Sequence, residues 1–475
     1  MSEWKKVKIG DICKIVKGTT GIASAEPGEY PLVVTAEERK TCSTYQFDCE
    51  AVCIPLVSSS GHGKKSLKNV HYQSGKFALG TILCAVIPNN PQELDARYLH
   101  QYLQFYKDII LVPLMKGAAN VSLSMKDIAT VEFPLPPIER QRELSNLFVS
   151  LQEKQKELSA EYEKQTDYAK LLRQNILQQA IEGKLTADWR KQNPVQKGNP
   201  DYDAEALFEQ IQKGEVSPSL QPASQFSATP SLRGKAPKTP ENSREFFEEK
   251  LDSERKRTNN ARSKSLAPIT DEEKPFEIPE AWKWVHLNNI ALSGLGKTLN
   301  KSTDKGDECP YLCSINVYWE GIDLEVVKKA RFTEQEKEKY RLQKGDLLIC
   351  EGGESGRTAI WNHNIDMYYQ NALHRIRFYG NVIPELYRYI LEIYKLSGII
   401  NNYLKGMGIQ HLVQSSLNAI WFPLPPLKEQ KEIVNKVENL LAKVTELENQ
   451  IQDRKSLSDK LIFGIIKDAF EEKKA

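Results

Sequence analysis

No run of this sequence is apolar for long enough to cross a bilayer. Stretches such as Asp108 to Met115 fall far short of the about 20 residues that a spanning helix needs. The opening MSEWKKVKIG has no apolar core of the signal-peptide kind, so a cytoplasmic chain is expected. Charge of one sign is also lacking. Lys and Arg number 65 against 63 Asp and Glu, a net +2. That argues against holding a polyanion by bulk charge and leaves open a local basic groove. The eight cysteines form no paired framework and are expected to be reduced thiols. Cys42, Cys49, Cys53 and His62 follow no standard zinc spacing, and small buried thiols are the simpler reading.

Catalytic signatures are scarce as well. No Asn-Pro-Pro-Tyr motif of amino-methyltransferases is present, and no GxGxxG follows a strand. ALSGLGKT imitates the end of a phosphate-binding loop but carries Ala291 where the first glycine belongs,. EGGESGRTAI, Glu351 to Ile360, follows the strand candidate GDLLIC and suits either a tight turn or a close approach to a phosphate,. No Ser-His-Asp order or metal-binding helix stands out. The chain is expected to be non-catalytic by itself.

What the sequence does have is itself, twice. FPLPPIERQRE at Phe133 returns as FPLPPLKEQKE at Phe422, 289 positions later. EWKKVKIGDI matches AWKWVHLNNI, and LMKGAANVSLSMKDIATVEFPLPP matches YLKGMGIQHLVQSSLNAIWFPLPP. KFALGTILCAV and RLQKGDLLICE share a glycine before a strand-like run, and DARYLHQYL and PELYRYIL both read as short amphipathic helices,. Proline does not continue a helix but suits its first turn. Each FPLPP therefore reads as an extended arm that leaves a domain and starts a helix.

Those helices carry a seam of alternating four- and three-residue steps, as in a coiled coil. Its apolar members are Leu144, Phe148, Leu151, Leu158, Leu172 and Ile176, matched 289 positions on by Ile433, Val437, Leu440, Leu447, Leu461 and Ile465. Each stripe needs a partner. The other copy is the simplest one, and packing on its own domain is the alternative. Residues 191–280 hold ten of the 24 prolines and read as a linker, with a short charged helix at 244–265. The expected fold class is α+β: two similar domains, 1–138 and 276–427, and two long antiparallel helices, 139–190 and 428–475, with a flexible Pro-rich linker at 191–275 and a pseudo-twofold internal repeat.

The repeated PLPPxxxQ phrase, the equal helices and the ending NILQQAIEGKLTADWRKQN together resemble the specificity subunits of Type I restriction-modification enzymes, over essentially the whole chain. The resemblance implies two target-recognition domains that read an asymmetric bipartite site in double-stranded DNA. It implies two modification subunits that bind S-adenosylmethionine and methylate adenine, and two restriction subunits that use ATP and Mg for translocation and cutting. This chain itself is expected to bind no cofactor. The helix pair would then act as a ruler between half-sites. A coiled-coil scaffold that binds proteins and no DNA is the competing reading.

Base reading needs forked donors and amides, and phosphate anchoring needs cations or backbone N–H groups. The first-domain candidates are Ser60, His62, Lys64, Lys65, Lys68, Lys116 and Asn120. Those of the second domain are Arg357, His374, Arg375, Lys405, Gln410 and His411. Lys116 and Lys405 occupy the same place in the two copies and read as phosphate anchors. Phe133, Pro136, Pro137, Phe422, Pro425 and Pro426 are candidates for partner contact.

Overall fold

The computed structural model describes residues 4–60, 63–214, 269–300, 302–408 and 410–471. Two compact units divide the chain: Met1–Thr166 with Asn449–Ala475, and Asp167–Glu448. Each unit contains one copy of the repeat and a portion of both long helices.

In the first unit, strand Lys5–Lys8 pairs antiparallel with Glu132–Leu135, placing Val7 opposite the buried Phe133. A four-stranded antiparallel sheet follows, in the order Cys13–Lys17, Leu83–Pro88, Ala51–Pro55, His71–Gln73. Its inner strand AVCIP is buried at every position, which is why it reads as a continuous apolar run with no alternation. A second sheet has the order Lys40–Cys42, Tyr30–Val33, Lys76–Leu79, Phe47–Asp48, with one parallel pair. Helix Ala96–Ile110 covers the core with Tyr98, Leu99 and Leu103. Asp95 caps it, its carboxylate accepting from the N–H of Arg97 at 2.8 Å and of Tyr98 at 3.1 Å,.

The second unit repeats this plan. Lys283–His286 pairs with Trp421–Leu424, and Val285 faces Phe422. The four-stranded sheet runs Ala291–Leu295, Leu373–Phe378, Asp346–Cys350, Thr358–Trp361. A three-stranded sheet of Lys328–Phe332, Asp307–Leu312 and Tyr368–Tyr369 stands in place of the second four-stranded one. Helix Pro384–Leu396 covers the core.

The topology corrects one sequence match. By sheet order, the equivalent of DLLIC is AVCIP, and the equivalent of LCAVIP is LHRIRF. The two inner strands of one sheet are both buried runs, so local composition does not tell them apart; hydrogen-bond order does.

The repeated glutamine of PLPPxxxQ has a structural cause. Gln141 is buried; its amide nitrogen donates to the Pro136 carbonyl at 2.8 Å and the Glu93 carbonyl at 2.9 Å, and its oxygen accepts from the Asp95 N–H at 2.9 Å. Gln430 does the same with the Pro425 carbonyl at 2.8 Å and the Ile383 N–H at 3.0 Å. Asp95 and Ile383 are the N-caps of the two covering helices. One buried amide thus ties the proline turn, the start of the long helix and the start of the covering helix together. Buried backbone groups that lose such a partner cost about 1–3 kcal/mol.

The long helices are Ile138–Ile181 and Leu427–Glu471, each about 65 Å at 1.5 Å per residue. They run antiparallel within each unit. In the first, Gln155 donates to Asp459 at 3.0 Å and Tyr162 to the Arg454 carbonyl at 3.4 Å. In the second, Arg173 pairs with Glu448 at 3.1 Å, and Ala169 and Ile176 pack with Val444.

Leu144, Phe148, Ile176, Ile433 and Val437 are buried and Leu151, Leu158 and Leu440 half-buried, but Leu172, Leu447, Leu461 and Ile465 are exposed. The buried face of the second helix moves over by one residue to Ile462, Ile466 and Phe470. A helix of 3.6 residues per turn drifts about 20° per heptad against a 3.5-residue repeat, so over four heptads the strict seam rotates out of the interface. The neighbour changes as well. Phe470 lies in an aromatic cluster with Tyr98, Tyr102, Phe105, Tyr106 and Phe148, where each ring pair adds about 0.5–1.5 kcal/mol beyond burial. The helix ends therefore pack on globular cores as well as on each other, and the contact between helices continues on a shifted face, with Ile462, Ile466 and Phe470 in one cluster with Leu144 and Phe148.

Part of the stretch read as flexible linker is folded. Asp203 caps helix Ala204–Gln212, which buries Ala204 and packs Leu207 and Ile211 into the second core. The Leu427 N–H donates to the Pro200 carbonyl at 3.1 Å. The charged helix expected at 244–265 lies outside the described residues. No described helix is long and apolar enough to cross a membrane.

Candidate nucleic-acid interface

In each copy two loops meet at the end of the same sheet strand. One follows AVCIP or DLLIC. The other is the Lys-Gly hairpin. The hairpin is closed by paired backbone bonds between Lys116 and Ser122, both 2.8 Å, and between Lys405 and His411, 2.9 and 2.8 Å. Gly117 and Gly406 turn the chain at φ +121° and +117°, a region that side chains other than glycine rarely adopt. The loops are bonded to each other. Leu123 donates to the Leu56 carbonyl at 2.9 Å and Leu412 to that of Glu351 at 2.7 Å. Ser355 Oγ donates to the Gln410 carbonyl at 2.8 Å. Between them in the second copy lies an open polar cavity of about 340 Å³, walled by Ser355, Lys395, Asn401, Met407 and Gln410.

This arrangement gathers many of the candidates. Ser60, Lys64, Lys65 and Lys68 are exposed on the first loop of the first domain, and Lys116 and Asn120 are exposed on its hairpin. Ser60 Oγ is 2.7 Å from Ser66 Oγ, a bond that shapes the loop. Lys405 and Gln410 are exposed on the second hairpin, and His411 is half-buried with Nδ1 3.4 Å from Glu351. Lys116 is ion-paired to Asp127 at 3.0 Å, whereas Ser416 stands 289 positions after Asp127. His62 lies outside the described residues.

Three candidates are structural instead. His374 is fully buried on the strand Leu373–Phe378, its Nε2 2.7 Å from the Leu412 carbonyl, and burial pushes its pKa below the usual imidazole value. Arg375 is buried beside it and donates to the Lys339 carbonyl at 3.1 Å. Arg357 is ion-paired to Glu354 at 2.9 Å and donates to the Ser314 carbonyl at 2.7 Å. Donor chemistry alone marks such side chains as readers; the strand Leu373–Phe378 turns His374 and Arg375 inward, and the loop contacts of Arg357 hold it half-buried. Sequence reasoning passed over Tyr318, 41% exposed beneath the Arg357 guanidinium at 5.0 Å, and the fully exposed Met407.

The proline-arm candidates mostly face inward. Phe133 and Phe422 are core residues, and Pro136, Pro425 and Pro426 are buried; Pro137 is exposed. Phase in the short edge strand sends the phenylalanines into their own domains, where a partner does not reach them.

Two other sequence features resolve structurally. Lys297 of GLGKT is buried, donating to the Arg331 carbonyl at 2.7 Å and to Glu336 at 2.8 Å, so its ammonium is held inside the domain. Cys42 and Cys53 are buried, and burial pushes the Cys53 thiol far up from its ordinary pKa, away from the thiolate a metal needs. Among the described residues no three potential metal ligands stand together.

Two copies of one α+β fold, each presenting a bonded loop pair with an exposed lysine and an exposed amide, define a tandem-repeat protein with the same loop frame in both halves. A family model described as the Type I restriction modification DNA specificity domain matches residues 1–165 and 279–454, one segment in each copy, and the chain belongs to that family. The EcoDI specificity subunit of Escherichia coli is 22% identical over 475 residues, 98% of this chain and 88% of that protein. The EcoBI specificity subunit of Escherichia coli is 27% identical over 205 residues, covering 41% of this chain and 42% of the relative. That match spans less than half of the relative's length. A solved chain from work on complex assembly and conformational transition of the type I R-M system shares the fold, with a TM-score of 0.55 at 15% identity, over 99% of this chain and 98% of that one.

Proposed function

We propose that this chain is the sequence-recognition subunit of a Type I restriction-modification complex and is not an enzyme by itself. Each domain reads one half of a bipartite, asymmetric site in double-stranded DNA. The observation that supports this most directly is the loop pair: the same backbone frame occurs in both copies while the residues on it differ, as unlike half-sites require. Two modification subunits, which carry S-adenosylmethionine, dock on the chain and methylate adenine where it directs them. Two restriction subunits, with ATP and Mg, complete the assembly. The exposed lysines anchor phosphates and the amides face base edges.

The test is methylome sequencing of cells that express the modification subunit with and without this chain. The expected result is adenine methylation at one split motif, present only when both are expressed. Methylation of the same motif without this chain would overturn the reading, and so would its absence with both. A protein-binding scaffold without DNA recognition predicts the latter.

A further inference from the structure

Met407 is the most exposed large apolar side chain among the described residues, at 109% of its reference area, ahead of Ile109 at 71%. Its placement is defined by the fold. The stem closes on two backbone bonds between Lys405 and His411, Gly406 makes the turn, and Ser355 holds the Gln410 carbonyl. The neighbours on this hairpin are an exposed cation, Lys405, and an exposed amide, Gln410. In the major groove a cation meets phosphate or guanine, an amide meets adenine, and the apolar feature of the base edges is the C5 methyl group of thymine. An unbranched thioether adapts to such a contact without a preformed pocket. The first domain has Ala118 at the corresponding place, too short to reach as far from the same frame.

We propose that Met407 is a specificity-determining residue that packs against a thymine methyl group in the half-site of the second domain. This rests on the DNA-recognition reading above and assigns one base position within it. The preference it supplies is that of about one buried methyl group, about fourfold for thymine over its demethylated analogue.

The test selects binding sites with the full-length chain, reconstituted with a modification subunit, from a random duplex pool and from the same pool made with deoxyuridine in place of thymidine. The wild type should enrich a bipartite motif with a thymine position that weakens about fourfold in the deoxyuridine pool. Met407→Ala should flatten that position in the thymidine pool and leave the other half-site intact. Met407→Leu should restore it. If Met407→Ala selects the wild-type motif at full strength, the proposal is wrong while DNA recognition stands. A position flattened by Met407→Ala but indifferent to deoxyuridine overturns the methyl contact. No enriched motif with the wild type would overturn both readings.

Discussion

Arg140 and Glu429 occupy one place in the two copies, 289 positions apart, and share nothing else. Arg140 is exposed and pairs with Glu143 one helical turn away, at 2.9 Å. Glu429 is 1% exposed and accepts from Thr186 Oγ1 at 2.7 Å, the Arg190 guanidinium at 2.5 Å and the Trp282 indole N–H at 2.8 Å. Those three partners come from GKLTADWR, at the end of the first long helix, and from the entry to the second domain. The carboxylate thus fastens the first long helix to the domain that follows it in sequence. The hinge glutamines behave in the opposite way, sharing two bonds in both copies, to the proline carbonyl and from the N-cap N–H of the covering helix, with the Glu93 contact of Gln141 as the one addition. A tandem repeat keeps the residues that its backbone geometry needs and is free to change those whose neighbours differ.

The largest expected difference lies at that first pair. Removing Glu429 leaves the buried Thr186 hydroxyl and Trp282 indole N–H without their acceptor and the half-buried Arg190 without its counter-charge, a cost of about 3 kcal/mol. Glu429→Ala should lower the stability of the second unit by that amount in denaturant titration. Arg140→Ala should change the first unit by under about 0.5 kcal/mol, as exposed pairs do. Equal losses would mean that the copies are not asymmetric here. Next come the glutamines. Gln141→Ala and Gln430→Ala should each cost about 2 kcal/mol, and the two costs should agree. A loss at one site only would break the equivalence of the hinges.

The smallest contrast concerns DNA. Lys405→Ala should weaken binding to every duplex and reduce the slope of log affinity against log salt by about one. Lys116→Ala should reduce it by less, because Asp127 already neutralises that ammonium, and Asp127→Asn should steepen it. Anisotropy titrations at several salt concentrations would show this, and equal slopes for the two lysine variants would remove the distinction.

The sequence made the architecture legible where physics repeats with a period or a phrase. FPLPP fixes the exit arm, because proline tolerates an edge strand and a helix start but not a helix interior. The long helices follow from their stripes, and the Lys-Gly loops from their recurrence at the same place in both copies, while the hairpin form of those loops is a finding of the structure. The candidate site was legible as two loop regions, and less so as a set of exposed residues. His374 and Arg375 have the chemistry of readers and the position of core residues. Met407 has the chemistry of a core residue and the position of a reader. Chain-local composition carries no information about which side of a sheet a loop or strand faces across long sequence separations.

By itself, then, the amino-acid order determined the duplication, the helices and the proline hinges, since each is a matter of local conformation and spacing. Only the tertiary structure decided which turn of the second helix meets an aromatic core as well as its partner helix, which of two look-alike strands lies where, and which cations remain in water. Those outcomes depend on burial by residues hundreds of positions away, and burial belongs to the assembled fold.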